Sequence, residues 1–111
     1  MKIDVRFRGI QVSEALREYA VRRVRFQLSR FDGDVGSVVV RIGDVNGPRG
    51  GVDKRCLVEA RGPAFGPVAV EDASTDAYTA VGSAVGRAAR AVGREIERAR
   101  VGQREDGPVG E

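Results

Sequence analysis

The chain has no histidine, no tryptophan, one cysteine and only six tyrosines and phenylalanines among its 111 residues. Each scarcity narrows the chemistry. General acid–base catalysis near neutral pH draws mostly on histidine or on carboxylate pairs with displaced pKa values. Here Asp32 with Asp34 reads as a turn and Glu71 with Asp72 as a helix start, so neither offers a convincing pair, and an enzyme is not expected. A single cysteine closes no internal disulfide and, without histidine, builds no zinc or haem site. Cys56 alternates in phase with Val58 and Ala60, which suits a buried structural thiol better than a reactive one beside Lys54 and Arg55. No apolar run approaches the roughly 20 residues that span a bilayer. Met1-Lys2-Ile3-Asp4 opens an alternating pattern instead of a secretory signal. A cytoplasmic protein with no membrane partner, cofactor, metal or small-molecule substrate is expected.

What the chain has is arginine, 17 residues against 2 lysines, with a formal net charge of only +3. The distribution therefore matters more than the total. Residues 13–31 carry a net +3 and residues 87–104 a net +4, so the remainder sums to −4. Both basic stretches read as helices. At this length one domain with one core is expected, over residues 1–101, followed by a flexible acidic tail over 102–111.

Ile3, Val5 and Phe7 alternate with Lys2, Asp4, Arg6 and Arg8, the pattern of a half-buried strand. Ser13 is placed to cap a helix whose apolar stripe is Leu16, Ala20, Val24, Leu28 and Phe31. Phe31-Asp32-Gly33-Asp34 ends it. Val38, Val40 and Ile42 mark a second strand, and Cys56, Val58 and Ala60 a third. The loop Asn46 to Gly51 joins these as a hairpin. Gly62 to Pro67 reads as a break, and Val68 to Val70 as a short fourth strand. Ser74 or Thr75 then caps a long helix with Tyr78, Val81, Val85, Ala88, Val92 and Ile96 on its core side.

A helix after strand one implies a parallel, right-handed return to strand two, while the short later connections imply antiparallel pairing. The predicted fold is an α+β two-layer sandwich of order β-α-β-β-β-α, with a four-stranded mixed sheet and both helices on one face. Asp4, Arg6, Arg41, Arg55, Glu59 and Arg61 fall on the other face, which stays wet.

Arg87, Arg90, Arg94 and Arg98 follow at spacings of three, four and four, one stripe of the last helix opposite its core side. Guanidinium groups match phosphate oxygens through a planar fork, so such a row suits a nucleic-acid backbone. A solvated amphipathic face, a charge arrangement matched to the helix dipole, and coding bias toward arginine are the plainer readings. In the first helix Glu18, Arg22, Arg25 and Ser29 occupy the face opposite the core. Tyr19, Arg23, Phe26 and Arg30 interleave along one flank, able to stack bases between guanidinium groups or, for Tyr19 and Phe26, to serve as peripheral core. Arg22, Arg23, Arg25 and Arg30 are the RNA-binding candidates there. Arg49, Lys54 and Arg55 add basic groups in and beside the glycine-rich hairpin loop. Gly82, Gly86 and Gly93 share one flank of the last helix, where the first helix, a second copy or an RNA strand would come close.

Ser13-Glu14-Ala15-Leu16-Arg17-Glu18-Tyr19 leading to Arg30-Phe31-Asp32, and Glu71-Asp72 followed by Asp76-Ala77-Tyr78-Thr79-Ala80-Val81, make the chain resemble the ribosome hibernation factors. This family is also called ribosome-associated inhibitors or sigma-factor modulation proteins. The likeness spans about residues 1–100 and is to a short, single-domain form. It implies a fold like double-stranded-RNA-binding domains and binding to small-subunit rRNA in the channel of messenger and transfer RNA, silencing or protecting idle ribosomes. The family's basic helix positions map onto Arg23, Arg87, Arg90 and Arg94, whereas a family lysine position is Phe26 here and a usual acidic one is Gly82. The alternative is a non-catalytic interaction module that self-associates as a weak homodimer, or binds a regulator, through the glycine flank or the open sheet face.

Overall fold

The structure, a computed structural model, describes residues 1–45 and 52–105, with side chains to residue 102. The elements are β1 (Lys2–Arg8), α1 (Glu14–Leu28) running into a 3-10 turn (Ser29–Phe31), β2 (Ser37–Asp44), β3 (Lys54–Gly62), β4 (Phe65–Ser74) and α2 (Ala77–Glu105). The strands lie in sequence order in one sheet. β1 pairs with β2 in parallel, Val5 opposite Val40, and the other two pairings are antiparallel. This is the expected mixed sheet.

Ser13 caps α1 by accepting the Leu16 N–H at 3.2 Å. The helix buries Leu16, Ala20, Val24 and Leu28. α2 buries Ala80, Val81, Ala84, Val85, Ala88, Ala89, Val92 and Ile96. Both stripes meet Val38, Val40, Ile42, Cys56, Val58 and Ala60 in one core, so the two helices cover the same sheet face. Arg17 ties α1 to β1: its guanidinium donates to the Val5 carbonyl at 2.8 Å and lies 5.1 Å from the Phe7 ring centroid. On the opposite face charges pair with one another, Arg6 with Asp4, Arg41 with Glu59 and Arg55 with Glu71.

Around β4 the structure departs from the pattern expected of the sequence. Gly62 to Pro67 is not an extended break. The chain turns tightly after Gly62, where a Cβ would collide with the Asp34 carbonyl oxygen, and is back in the sheet at Phe65. Pro67 is tolerated because β4 is an edge strand with one side unpaired. β4 is therefore ten residues long and takes in Glu71 and Asp72, which do not belong to the helix start. The α2 cap is Asp76 rather than Ser74 or Thr75: its carboxylate accepts the Tyr78 N–H at 3.3 Å and the Thr79 hydroxyl at 3.0 Å. Tyr78 is not core. It is 39% exposed and meets Tyr19 edge-on at 5.1 Å. α2 runs on to Glu105, beyond the boundary expected at 101.

Candidate nucleic-acid interface

The seam between the helices sets the site. α2 presents Gly82 and Gly93 to α1 and the turn that follows it. A Cβ at Gly82 would lie 3.0 Å from the Tyr19 hydroxyl oxygen, and one at Gly93 would lie 3.2 Å from Cζ of Phe31. Glycine at both places lets the two aromatics lie close against the helix backbone. Near the Gly86 Cβ position the nearest group is the guanidinium of Arg90, 3.8 Å away. Gly82 is thus taken up by α1 and Gly93 by the turn that follows it, while Gly86 meets only a side chain of its own helix.

Phe31 carries Arg30 with it. The Arg30 guanidinium lies 4.9 Å from the Phe31 ring centroid, and Phe31 rests on Gly93. Arg30 thereby joins Arg90, Arg94 and Arg98 around one open cleft of about 720 Å³, with Gly93, Glu97 and Val101 completing its lining. Guanidinium groups from two separate helical stretches converge there.

The exposed surface of α1 adds Arg22, Arg25 and Phe26. Among the described residues no carboxylate pairs with Arg22, Arg25, Arg90 or Arg94. Arg98 pairs with Glu95 at 2.7 Å, but its side chain is 74% exposed, and such surface pairs exchange readily for a phosphate. Arg23 lies half-buried in the seam, its Nε without a hydrogen-bond partner among the described residues.

Arg87, Lys54 and Arg55 stand apart from this group. Arg87 donates to the Glu71 carbonyl at 3.0 Å and lies 3.6 Å from the Asp72 carboxylate, so it fastens α2 to β4. Asp72 also accepts the Ser83 hydroxyl, and that bond, with the Ala73 N–H and Arg87, holds its carboxyl below the usual range. Lys54 is clasped by Asp53 at 2.9 Å and Asp44 at 3.0 Å, which raises its pKa and fixes the root of the β2–β3 connection. Asp53 is 1% exposed. Arg55 lies on the open sheet face beside Glu71, away from the helices. Arg49 lies outside the described residues. Cys56 is fully buried and its pKa is pushed up to about 12, first by burial and then by Asp72, so the thiol is structural.

The profile of one family, described as sigma 54 modulation protein / S30EA ribosomal protein, matches residues 3–100. The chain belongs to that family. Membership places it among ribosome-associated factors. No curated protein sequence matches significantly. Among solved structures, a ribosomal subunit interface protein from Coxiella burnetii superposes with a TM-score of 0.72 at 15% identity, over 85% of this chain and 96% of that one. The N-terminal domain of Protein Y from Thermus thermophilus gives 0.70 at 24% identity, over 85% and 98%. These likenesses bear on the fold and agree with the β-α-β-β-β-α sandwich.

Proposed function

We propose that this chain is a cytoplasmic ribosome hibernation factor that binds small-subunit rRNA in the channel of messenger and transfer RNA and silences or protects idle ribosomes. The observation that carries the proposal is the convergence of Arg30, Arg90, Arg94 and Arg98 on one open cleft, and Arg22 and Arg25 add exposed cationic groups on α1. Phosphate contacts fix a protein's position on RNA without reading sequence, and a body held there blocks the channel by occupying it. Arg23 is poised at the seam behind this surface. Arg87 serves mainly to hold α2 in place, and its contribution to binding is correspondingly smaller. Family membership and the names of the structural neighbours support the ribosome as partner.

Co-sedimentation with purified small subunits tests this. Neutralising about six phosphates gives a log–log salt slope near −4 on the single-strand estimate. The triple variant Arg30→Glu, Arg90→Glu and Arg94→Glu is expected to leave the pellet while keeping its thermal transition. Arg6→Glu, on the opposite sheet face, is expected to sediment as the parent does. A triple variant that still pellets normally would refute the assigned surface.

A further inference from the structure

Resting on that reading, we infer that Phe26 is a stacking platform for an unpaired RNA base. Among the described residues it is the most exposed large apolar side chain, at 74%. α1 has no way to roll and cover it, because Leu16, Ala20, Val24 and Leu28 on the other side are each 3% exposed or less. The surroundings of the ring are cationic. Arg22 precedes it by one helical turn, Arg30 follows by one, and no aspartate or glutamate occurs between Tyr19 and Phe31. Arg30 lies over Phe31, and among the described residues no guanidinium lies over the Phe26 ring, which at 74% exposure is open to a ligand.

The occupant follows from this combination. An apolar ring set among guanidinium groups that lack carboxylate partners complements a polyanion that also carries flat apolar faces. A single RNA strand is such a ligand, since its phosphates suit the arginines and a splayed base suits the ring. The span from Arg22 to Arg30 is about 12 Å along the helix, long enough for phosphates to lie on either side of one splayed nucleotide. Stacked duplex RNA hides its base faces and offers this ring nothing. A polyanionic peptide would satisfy the arginines and leave the phenyl ring in water. The cleft around Arg90 and Arg94 then supplies attachment, and Phe26 supplies a preference for single-stranded or looped rRNA.

Because the chain has no tryptophan, Phe26→Trp makes a unique fluorescent reporter at the ring itself. The full-length variant is titrated with a single-stranded RNA dodecamer, its duplex of equal length, and polyglutamate of matched charge, binding being followed independently by anisotropy of the labelled ligand. Strong quenching by the single strand and little by bound duplex or polyglutamate is expected. Phe26→Ala is expected to weaken single-strand binding about tenfold, equivalent to about 1.4 kcal/mol of lost base–aromatic stacking, with duplex affinity unchanged and Phe26→Tyr restoring the parent value. Equal quenching by all three ligands, quenching by polyglutamate alone, or parent-like single-strand binding by Phe26→Ala would overturn the stacking role. If Phe26→Ala binds RNA and ribosomes like the parent, only this inference falls. If the parent itself binds neither, the ribosomal reading falls with it.

Discussion

Replacing each helical glycine of α2 by alanine separates the intrinsic cost of glycine from its use at the seam. In a helix interior glycine is about 1 kcal/mol less favourable than alanine, so each substitution starts from the same expected gain. What the new methyl meets then decides the outcome. At Gly86 the nearest group is the Arg90 guanidinium at 3.8 Å, an ordinary contact with the end of a mobile side chain. Gly86→Ala should keep the whole gain, which for a domain of this size is a rise of about 4 °C in Tm. At Gly93 the methyl would press on Phe31 at 3.2 Å, and the ring lies beneath Arg30. Displacing that pair should offset about 1 kcal/mol or more, leaving Gly93→Ala neutral or destabilised. Gly82→Ala falls between, since the Tyr19 hydroxyl at 3.0 Å is the tip of a side chain but one already seated on Tyr78. Urea denaturation followed by helical circular dichroism, with unchanged m-values, reads the order Gly86, Gly82, Gly93 directly. Gly93→Ala gaining as much as Gly86→Ala would refute the packing of Phe31 on α2, and with it the placement of Arg30.

Two further outcomes concern titrating groups. The Asp72 carboxyl is held below its ordinary value in the fold, first by the Ser83 hydroxyl, so its contribution to stability is present above the ordinary carboxylate pKa and is lost as pH falls through the lowered folded value. Asp72→Asn should flatten that acid limb in pH-resolved denaturation, and an unchanged limb would show that the contact to Ser83 and Arg87 carries no weight. The Cys56 thiol is raised from 9.0 to about 12, so the unfolded chain ionises first and stability should decline as pH climbs from about 9 toward 12, a decline that Cys56→Ala removes. At pH 8 the native thiol should resist a disulfide reagent that reacts at once in denaturant. Rapid native reaction would contradict its burial.

The order of elements was legible because two periodicities are unambiguous here. Leu16, Ala20, Val24 and Leu28 repeat at helical spacing, and Val38, Val40 and Ile42 alternate, and the structure buries all of them. The extent of β4 is not legible, since Gly66 and Pro67 look like a turn and Glu71-Asp72 like a helix start. An edge position in the sheet overrides both signals, and local composition does not reveal which strand lies at an edge. The arginine stripe was legible as exposed residues, but the wheel does not show what each side chain reaches. Arg87 finds Asp72 across the layer, and Lys54 finds Asp44 across the β2–β3 ladder. Those partners come from pairing and packing, as does the link from Gly93 through Phe31 to Arg30, which brings two basic segments of the chain together.

Among the described residues α2 supplies eight of the 21 buried apolar side chains, and it is the last described element to emerge during synthesis. Until it has been made, β3 and β4 lie bare on the side it will cover, and α1 alone does not cover them. The nascent sheet therefore passes through an interval in which its oily surface and its β4 edge are both open to other chains, a hazard of aggregation. Nucleation that starts in β1, α1 and β2 would leave docking of this last helix as the step that ends the exposure.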